Sequence, residues 1–152
     1  NKLKKQIIFM KKNGIDASHT SYNIINFYNK EIGSRKAKDM NHKLLLKSCD
    51  IGLSTVILKK KIITNKIKFA NIKTKEDYVL WLKITLNDKK IFAVQHNLTK
   101  WRKLDDSLSS SSLQKLYDGY LVYRKYMNFN ILKSLICLMS LSFNYFLKEI
   151  KK

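Results

Sequence analysis

Acidic side chains and arginine are both scarce in this sequence. There are 11 aspartate and glutamate residues against 31 lysine and arginine residues, and the formal net charge is +20. Only Arg35, Arg102 and Arg124 are arginine, whereas the recognition of bases and phosphates depends heavily on forked guanidinium groups. The charge is therefore weak support for a nucleic-acid-binding protein, but it leaves an anionic membrane surface open as a partner.

Cysteine is equally scarce. Cys49 and Cys137 are far apart, without the spacing of metal ligands, and two free thiols in a reducing cytoplasm is the simple interpretation. The start of the chain, Asn1 to Lys5, is too polar for a signal peptide. Because the sequence does not begin with Met, we expect a fragment or a processed start.

Signs of disorder are absent. Hydrophobic residues make up 45% of the 152 positions and aromatic residues 11%, which predicts one folded domain with a real core. Strand-like and helix-like patterns alternate, so the predicted fold class is α/β. The patterns predict helices over 2–12, 41–48 and 76 to about 88, strands over 16–27, 31–36, 54–58 and 90–96, an extended continuation over 98–102, and helices from 113 onward.

The segment from Thr74 to Leu82 places two adjacent carboxylates directly before an apolar helix. Thr74 is predicted to cap this helix, and Glu76 and Asp77 favour the positive end of its dipole. Such a pair usually serves only as a cap. A carboxylate that is partly buried can also act as a general base, because burial raises its pKa, and spacing alone leaves both roles open.

Four segments resemble the motifs of a known enzyme family. Glu76 to Trp81 resembles the Glu-Asp-x-x-Leu-Trp signature of family 2 glycosyltransferases with the GT-A fold, and Ile51 to Val56 resembles their Ile-Gly-x-Ser-Thr-Val segment. His19 to Tyr22 is similar to their Tyr-Thr-Ser-Tyr strand. Leu98 to Arg102, followed by Asp106 to Ser109, resembles their closing segment, although Asn97 replaces the usual proline. Order and spacing agree over most of the chain, so the motifs are more specific together than singly.

The resemblance implies a partial GT-A fold. The family's N-terminal nucleotide-binding half has no counterpart here, including the Asp-x-Asp motif that binds a divalent cation, Mg²⁺ or Mn²⁺, in the intact enzyme. Residues 1–112 would be the acceptor-side part, and residues 113–152 a C-terminal amphipathic helical segment. The chain by itself is therefore expected not to be an active transferase.

In this family the carboxylate of the Glu-Asp motif is the general base at the acceptor hydroxyl. The resemblance assigns that role to Asp77, with Glu76 in support. Gly52, Ser54 and Thr55 are expected beside the base, because glycine permits close backbone approach and hydroxyls can hydrogen-bond a sugar. An ordinary loop-to-strand turn is the alternative for these three residues.

Three further residues are substrate-binding candidates: Trp81, Trp101 and Arg102. For Trp81, helical spacing also predicts a position facing the core, together with Leu80 and Ile84. Trp101 could stack on a sugar ring and Arg102 could reach a diphosphate, although a core tryptophan and a solvated arginine are the commoner cases. We expect no metal ligands. The pair Asp105 and Asp106 lies in a serine-rich loop without the hydrophobic strand that a metal-binding Asp-x-Asp motif requires.

The C-terminal segment is amphipathic, with an apolar stripe that runs from Leu132 to Ile150. Its uncharged run, Ser134 to Leu147, is predicted to be too short to span a bilayer, which needs about 20 apolar residues. It can pack on the protein or lie on a membrane, and the flanking lysines favour peripheral membrane contact through 131–152.

The function implied by the resemblance is that of a parent enzyme in cell-surface polysaccharide synthesis. That enzyme would transfer a sugar from a nucleotide-sugar donor to a glycan or lipid-linked acceptor, in the cytoplasm or at the inner face of the membrane. Two other functions stay open: a non-catalytic remnant or interaction module, and a basic nucleic-acid-binding protein, although no specific nucleic acid is expected as a partner.

Overall fold

The computed structural model of this chain describes residues 1–104 and 111–150, apart from the side chain of Glu149. Within that part it has an α/β fold, as predicted, with helices packed on a four-stranded mixed sheet. The elements are α1 (Lys2–Lys12), β1 (Ala17–Ile25), β2 (Glu31–Arg35), α2 (His42–Leu45), β3 (Ile57–Leu58), α3 (Glu76–Ile84), β4 (Phe92–Arg102), α4 (Ser112–Leu121) and α5 (Ile131–Ile150).

Strand β1 is the centre of the sheet. It pairs in antiparallel fashion with β2 and β3 and in parallel fashion with β4. The extended segment predicted over 98–102 is simply the second half of β4. The first half of β1 is buried although it is polar. His19 in this half is fully buried, and its Nε2 forms a hydrogen bond of 2.8 Å with the Lys38 carbonyl oxygen.

The core is organised around α3, in which six of nine residues are buried. The hydroxyl of Tyr78 donates a hydrogen bond to the Leu45 carbonyl and lies 2.8 Å from the hydroxyl of Tyr123. Tyr123 belongs to a π-helical segment, Val122–Tyr126, that continues α4. With Leu141 of α5 it joins the same hydrophobic cluster, so the C-terminal helices pack on the α/β core. The division at residue 112 into two parts stays a prediction.

The predicted strand over 54–58 is mostly wrong. Leu53–Thr55 forms a 3₁₀ turn, and only Ile57–Leu58 is paired as a strand. The reason is local: the Thr55 N–H and hydroxyl both donate to the Gly52 carbonyl, at 2.9 and 2.6 Å. These bonds close a turn where the β-branched run would favour extension.

The predicted cap of α3 is also wrong. Thr74 does not cap the helix, because its N–H and hydroxyl both donate to Oδ2 of the buried Asp118, each at 2.7 Å. Lys75 occupies the N-cap position instead, in the left-handed region at φ 65°. The helix ends at Ile84, short of the predicted end near Asn87.

The apolar stripe of α5 lies on the outside of the protein. Its eight members are exposed to between 36% and 71%, whereas Ser134 and Leu141 on the other side are buried. Contrary to the prediction from its uncharged run, Ile131–Lys148 is long and apolar enough to cross a membrane by length and composition alone. Only 11% of that window is buried, so packing inside the described protein does not account for its apolar character. The stripe is made of Leu132, Leu135, Ile136, Met139, Phe143, Phe146, Leu147 and Ile150.

Candidate functional site

A cleft of about 760 Å³ opens at the start of α3. It is lined by Tyr22 of β1, the turn at 52–55, the segment 73–77 and Trp101 of β4. Six of the eight site residues predicted from the sequence meet here, although they come from three distant parts of the chain. They are Gly52, Ser54, Thr55, Glu76, Asp77 and Trp101.

Asp77 lies in the first turn of α3, at the edge of the cleft. Burial, and then the neighbouring charge of Glu76, raise the pKa of its carboxyl group above the ordinary value. A hydrogen bond from the backbone N–H of Tyr78 and the charge of Lys75 act in the opposite direction. A carboxylate with a raised pKa is a better proton acceptor, so this environment suits a general base.

The turn over Gly52–Thr55 is held tightly against β1. A Cβ atom on Gly52 would lie 3.4 Å from both the Thr55 methyl group and the Tyr22 ring, so the backbone of the turn is close to both side chains. From the other side, Gln6 of α1 donates to the Thr55 carbonyl at 3.1 Å. The turn therefore presents Ser54 to solvent from a fixed backbone.

Lys75 is a cleft residue that the sequence did not indicate. Burial lowers the pKa of its amine, while the nearby Cys49 and Asp77 act in the opposite direction. Its left-handed backbone turns the chain between Thr74 and α3, and a non-glycine residue adopts that conformation only at a cost of about 1–3 kcal/mol. No sequence pattern signals this conformation for lysine.

Asp118 of α4 holds the segment that precedes α3 in place. Besides its two bonds from Thr74, it accepts a hydrogen bond from Gln114 Nε2 at 3.0 Å through its other oxygen. Sequence reasoning missed this residue because its partner Thr74 lies 44 positions away. It positions the cleft without lining it.

The two tryptophans have different roles. Trp101 is 43% exposed and lines the cleft, where a sugar ring could stack on it. Trp81 is 1% exposed and belongs to the core, so the structure does not bring it to the cleft and its predicted contact with substrate is corrected to a packing role.

Arg102 does not line the cleft either. Its guanidinium donates to the carbonyls of Asn26 and Phe27, at 3.0 and 2.9 Å, and to the side chain of Asn29 at 2.7 Å. It thereby fastens the turn between β1 and β2 to the end of β4. Arg102 therefore has this structural role in place of the predicted contact with a diphosphate.

A second cavity of about 570 Å³ adjoins the cleft. The two share Tyr22, Thr74, Lys75, Asp77 and Trp101, so Asp77 lies at their junction. The far walls of the second cavity come from α4, α5 and the loop around Cys49. The thiol of Cys49 is buried there, and burial raises its pKa to about 12, which makes it an inert packing residue.

The residues that the structure describes do not fit a metal site. Across 1–104 and 111–150, no three His, Cys, Asp or Glu side chains lie close enough together to hold a metal ion. Asp105 and Asp106, and the Ser107 to Ser109 part of the closing motif, lie outside the described residues.

Comparison with known proteins yields two relatives. UDP-Glc:alpha-D-GlcNAc-diphosphoundecaprenol beta-1,3-glucosyltransferase WfgD of Escherichia coli is 38% identical over 119 residues, which cover 76% of this chain and 46% of that protein. The putative teichuronic acid biosynthesis glycosyltransferase TuaG of Bacillus subtilis (strain 168) is 23% identical over 146 residues, which cover 95% of this chain and 58% of that protein. The chain thus spans about half the length of the curated relatives it matches.

No protein-family model matches the chain, and no solved structure matches it significantly. The match to the B. subtilis protein covers 95% of the chain and therefore runs through most of the segments whose motifs resembled glycosyltransferases. The resemblance noted in the sequence is confirmed to this extent: the chain is homologous to part of two glycosyltransferases of bacterial cell-surface polysaccharide synthesis.

Proposed function

We propose that this chain supplies the acceptor side of a family 2 glycosyltransferase with the GT-A fold, and that Asp77 is its general base. The observation that carries the proposal is the place of Asp77, half-buried at the edge of a cleft that also gathers the turn at 52–55 and Trp101. The motif resemblance and the two glycosyltransferase relatives support the same assignment.

In the proposed reaction, the acceptor hydroxyl oxygen attacks the anomeric carbon of the donor sugar. Its proton passes to the Asp77 carboxylate, and the bond between the sugar and the nucleoside diphosphate breaks, so that the diphosphate leaves with the bonding electron pair. One displacement inverts the anomeric carbon. The raised pKa of Asp77 favours proton uptake in the transition state, and Trp101 and the Ser54 hydroxyl would orient the acceptor sugar.

The substrates follow from the relatives and are proposed at the level of class. The name of the E. coli relative specifies UDP-Glc as its donor and a GlcNAc-diphosphoundecaprenol as its acceptor. For this chain we infer a nucleotide-sugar donor and a glycan or lipid-linked acceptor. The divalent cation that the resemblance implies for the donor diphosphate does not fit the described residues, so no step is assigned to a metal here.

The exposed stripe of α5 supports a place at the inner face of the membrane. Eight apolar side chains face outward on a 20-residue helix, with Lys133 near one end and Lys148 near the other. A helix of this kind lies in the membrane interface, with its apolar face in the acyl region and Lys133 near anionic headgroups, whereas Lys148 pairs with Asp50 on the core side. A lipid-linked acceptor would be within reach of a cleft held at that surface.

The test is sugar transfer by this chain joined to an upstream nucleotide-sugar-binding half, taken from its own reading frame or from the E. coli relative. Asp77→Asn should lower the turnover number by roughly 10²–10⁴, because a positioned general base contributes about that much, and should leave donor binding nearly intact. Asp88→Asn makes the same chemical change in a turn outside the cleft and should have little effect. Normal turnover by Asp77→Asn would exclude Asp77 as the base and favour a non-catalytic role for the cleft.

A further inference from the structure

The second cavity has a cationic lining. Five basic side chains and two carboxylates face it, and one of those carboxylates, Asp50, is already paired with Lys148 and with Lys38, the latter at 2.9 Å. Lys75 and Lys115 then share the one remaining carboxylate of the lining, Asp77, so that positive charge is in excess around the cavity. A group of like charges in a partly buried site is costly unless an anion offsets it.

Lys75 and Lys115 approach the cavity from different elements. Lys75 stands at the start of α3, and Lys115 stands on α4, with its amine 5.8 Å from the centre of the Tyr145 ring. The two amines are close enough that the charge of Lys115 contributes, after burial, to lowering the pKa of Lys75. Two converging ammonium groups are a suitable pair for a diphosphate, which carries its charge on several oxygens.

The same cavity is apolar on the side of the C-terminal helices. Leu116 of α4 and Leu138, Leu141 and Tyr145 of α5 line it. The opposite side of α5 carries the exposed stripe described above, so the wall of the cavity and the outward apolar surface are two faces of one helix. A hydrocarbon chain that enters this side of the cavity would therefore contact leucine side chains of both C-terminal helices.

We propose that the second cavity binds the diphosphate and first prenyl units of a lipid-linked acceptor, with Lys75 and Lys115 on the diphosphate and the α4–α5 wall on the hydrocarbon. This inference rests on the proposed function and assigns a place to one of its two substrates. Because Asp77 lies at the junction of the two cavities, a sugar attached to that diphosphate would project toward the proposed base.

Both substrates contain a diphosphate, so the hydrocarbon distinguishes the acceptor from the donor. A nucleotide carries a polar ribose and base, and an apolar wall of leucine side chains offers no partners for their hydrogen-bonding groups. A prenyl chain, in contrast, is stabilised by each apolar carbon that it removes from water. The lining therefore favours the prenyl diphosphate over the nucleotide.

The experiment is calorimetric titration of the 152-residue chain with farnesyl diphosphate below its micellar concentration, compared with inorganic pyrophosphate and UDP. We expect farnesyl diphosphate to bind at least roughly tenfold more tightly than either, because its first prenyl units reach the apolar wall. Lys115→Gln should weaken its binding roughly tenfold or more, by loss of one charge-assisted contact. Lys12→Gln removes the same charge from the exposed end of α1 and should leave binding unchanged.

Equal affinities for the three ligands, or equal effects of Lys115→Gln and Lys12→Gln, would overturn the inference. Lys75→Gln tests the other amine in the same titration, and circular dichroism of each variant checks its fold.

The experiments distinguish a failure of this inference from a failure of the proposed function. Farnesyl diphosphate binding that depends on Lys115, together with normal transfer by Asp77→Asn, would reject the base but keep the acceptor site, whereas the reverse pattern would keep the base and reject the site.

Discussion

Helices α3 and α5 both contain many apolar side chains, but those of α3 are buried and the predicted stripe of α5 is exposed. In α3, every residue from Tyr78 to Leu82 is buried, together with Ile84. In α5, the predicted apolar stripe faces outward, and the side that contacts the core includes the small polar Ser134 and the charged Lys148, which pairs with Asp50. The apolar residues of α3 are thus covered by the core, whereas the apolar side of α5 is exposed.

The difference shows what an apolar pattern does and does not determine. The spacing of apolar residues fixes which side chains of a helix share a face, but it does not say what covers that face. For α3 the cover is the sheet, α2 and the π-helical segment. For α5 the described protein covers the other side, and the proposed cover of the stripe is the membrane.

The largest expected effect concerns the covered helix. Trp81→Ala should reduce the free energy of unfolding by about 3–5 kcal/mol, because it leaves a large cavity in a fully buried site. Within the described residues the indole N–H of Trp81 has no hydrogen-bond partner, so Trp81→Phe should cost much less. Urea unfolding followed by circular dichroism measures both changes.

Phe146→Ala in α5 is the matched control for this comparison. Phe146 is 62% exposed, and its truncation should change the free energy of unfolding by no more than about 0.5 kcal/mol. If Trp81→Ala and Phe146→Ala destabilised the chain to a similar extent, the contrast between the two helices would be wrong, and the stripe would be covered by protein in solution.

An intermediate effect is expected where the two regions are joined. Asp118→Ala leaves the Thr74 N–H and hydroxyl without their buried acceptor, and hydrogen bonds to a charged group contribute about 1.5–3 kcal/mol. We therefore expect a loss of about 2–3 kcal/mol in urea unfolding. Gln114→Ala removes only the bond to the other oxygen and should cost clearly less. Equal costs would mean that the Asp118–Thr74 contact does not hold the start of α3.

Local signals in the sequence were sufficient for much of the fold. Helix α1 ends at Lys12, as predicted, and is followed by Gly14 with φ 62°; Asn29, with φ 64°, lies between the strands predicted over 16–27 and 31–36. The start of α3 at Glu76 was also predicted, because two carboxylates precede an apolar run. Each of these features depends on residues within a few positions of one another.

Features that depend on distant residues were not predictable in this way. The sequence suggested that Thr74 caps α3, because a threonine before two carboxylates normally does so, but the competing acceptor Asp118 lies on α4. Helical spacing was sufficient to predict the core position of Trp81, whereas Trp101 could not be assigned to core or cleft from its neighbours, since that depends on how β4 pairs with β1. The cleft itself was predicted only through the motifs, which carry long-range information that propensity lacks.

The smallest expected effect on stability is also the most direct test of what covers α5. The double change Phe143→Ser and Phe146→Ser should leave the free energy of unfolding nearly unchanged, because both rings are 62% exposed. It should nevertheless weaken binding to vesicles of phosphatidylglycerol and phosphatidylcholine at least roughly tenfold, since each buried phenylalanine contributes about 1.5–3 kcal/mol. Phe69→Ser removes an equally exposed ring outside α5, at 52% exposure, and should leave sedimentation with vesicles unchanged. Binding of the unchanged chain should also fall as salt is added, because a chain with a net charge of +20 is attracted to anionic headgroups and salt screens that attraction. If the double variant sedimented as well as Phe69→Ser, the stripe would not be the membrane contact, and the apolar outer face of α5 would have to be covered by protein instead.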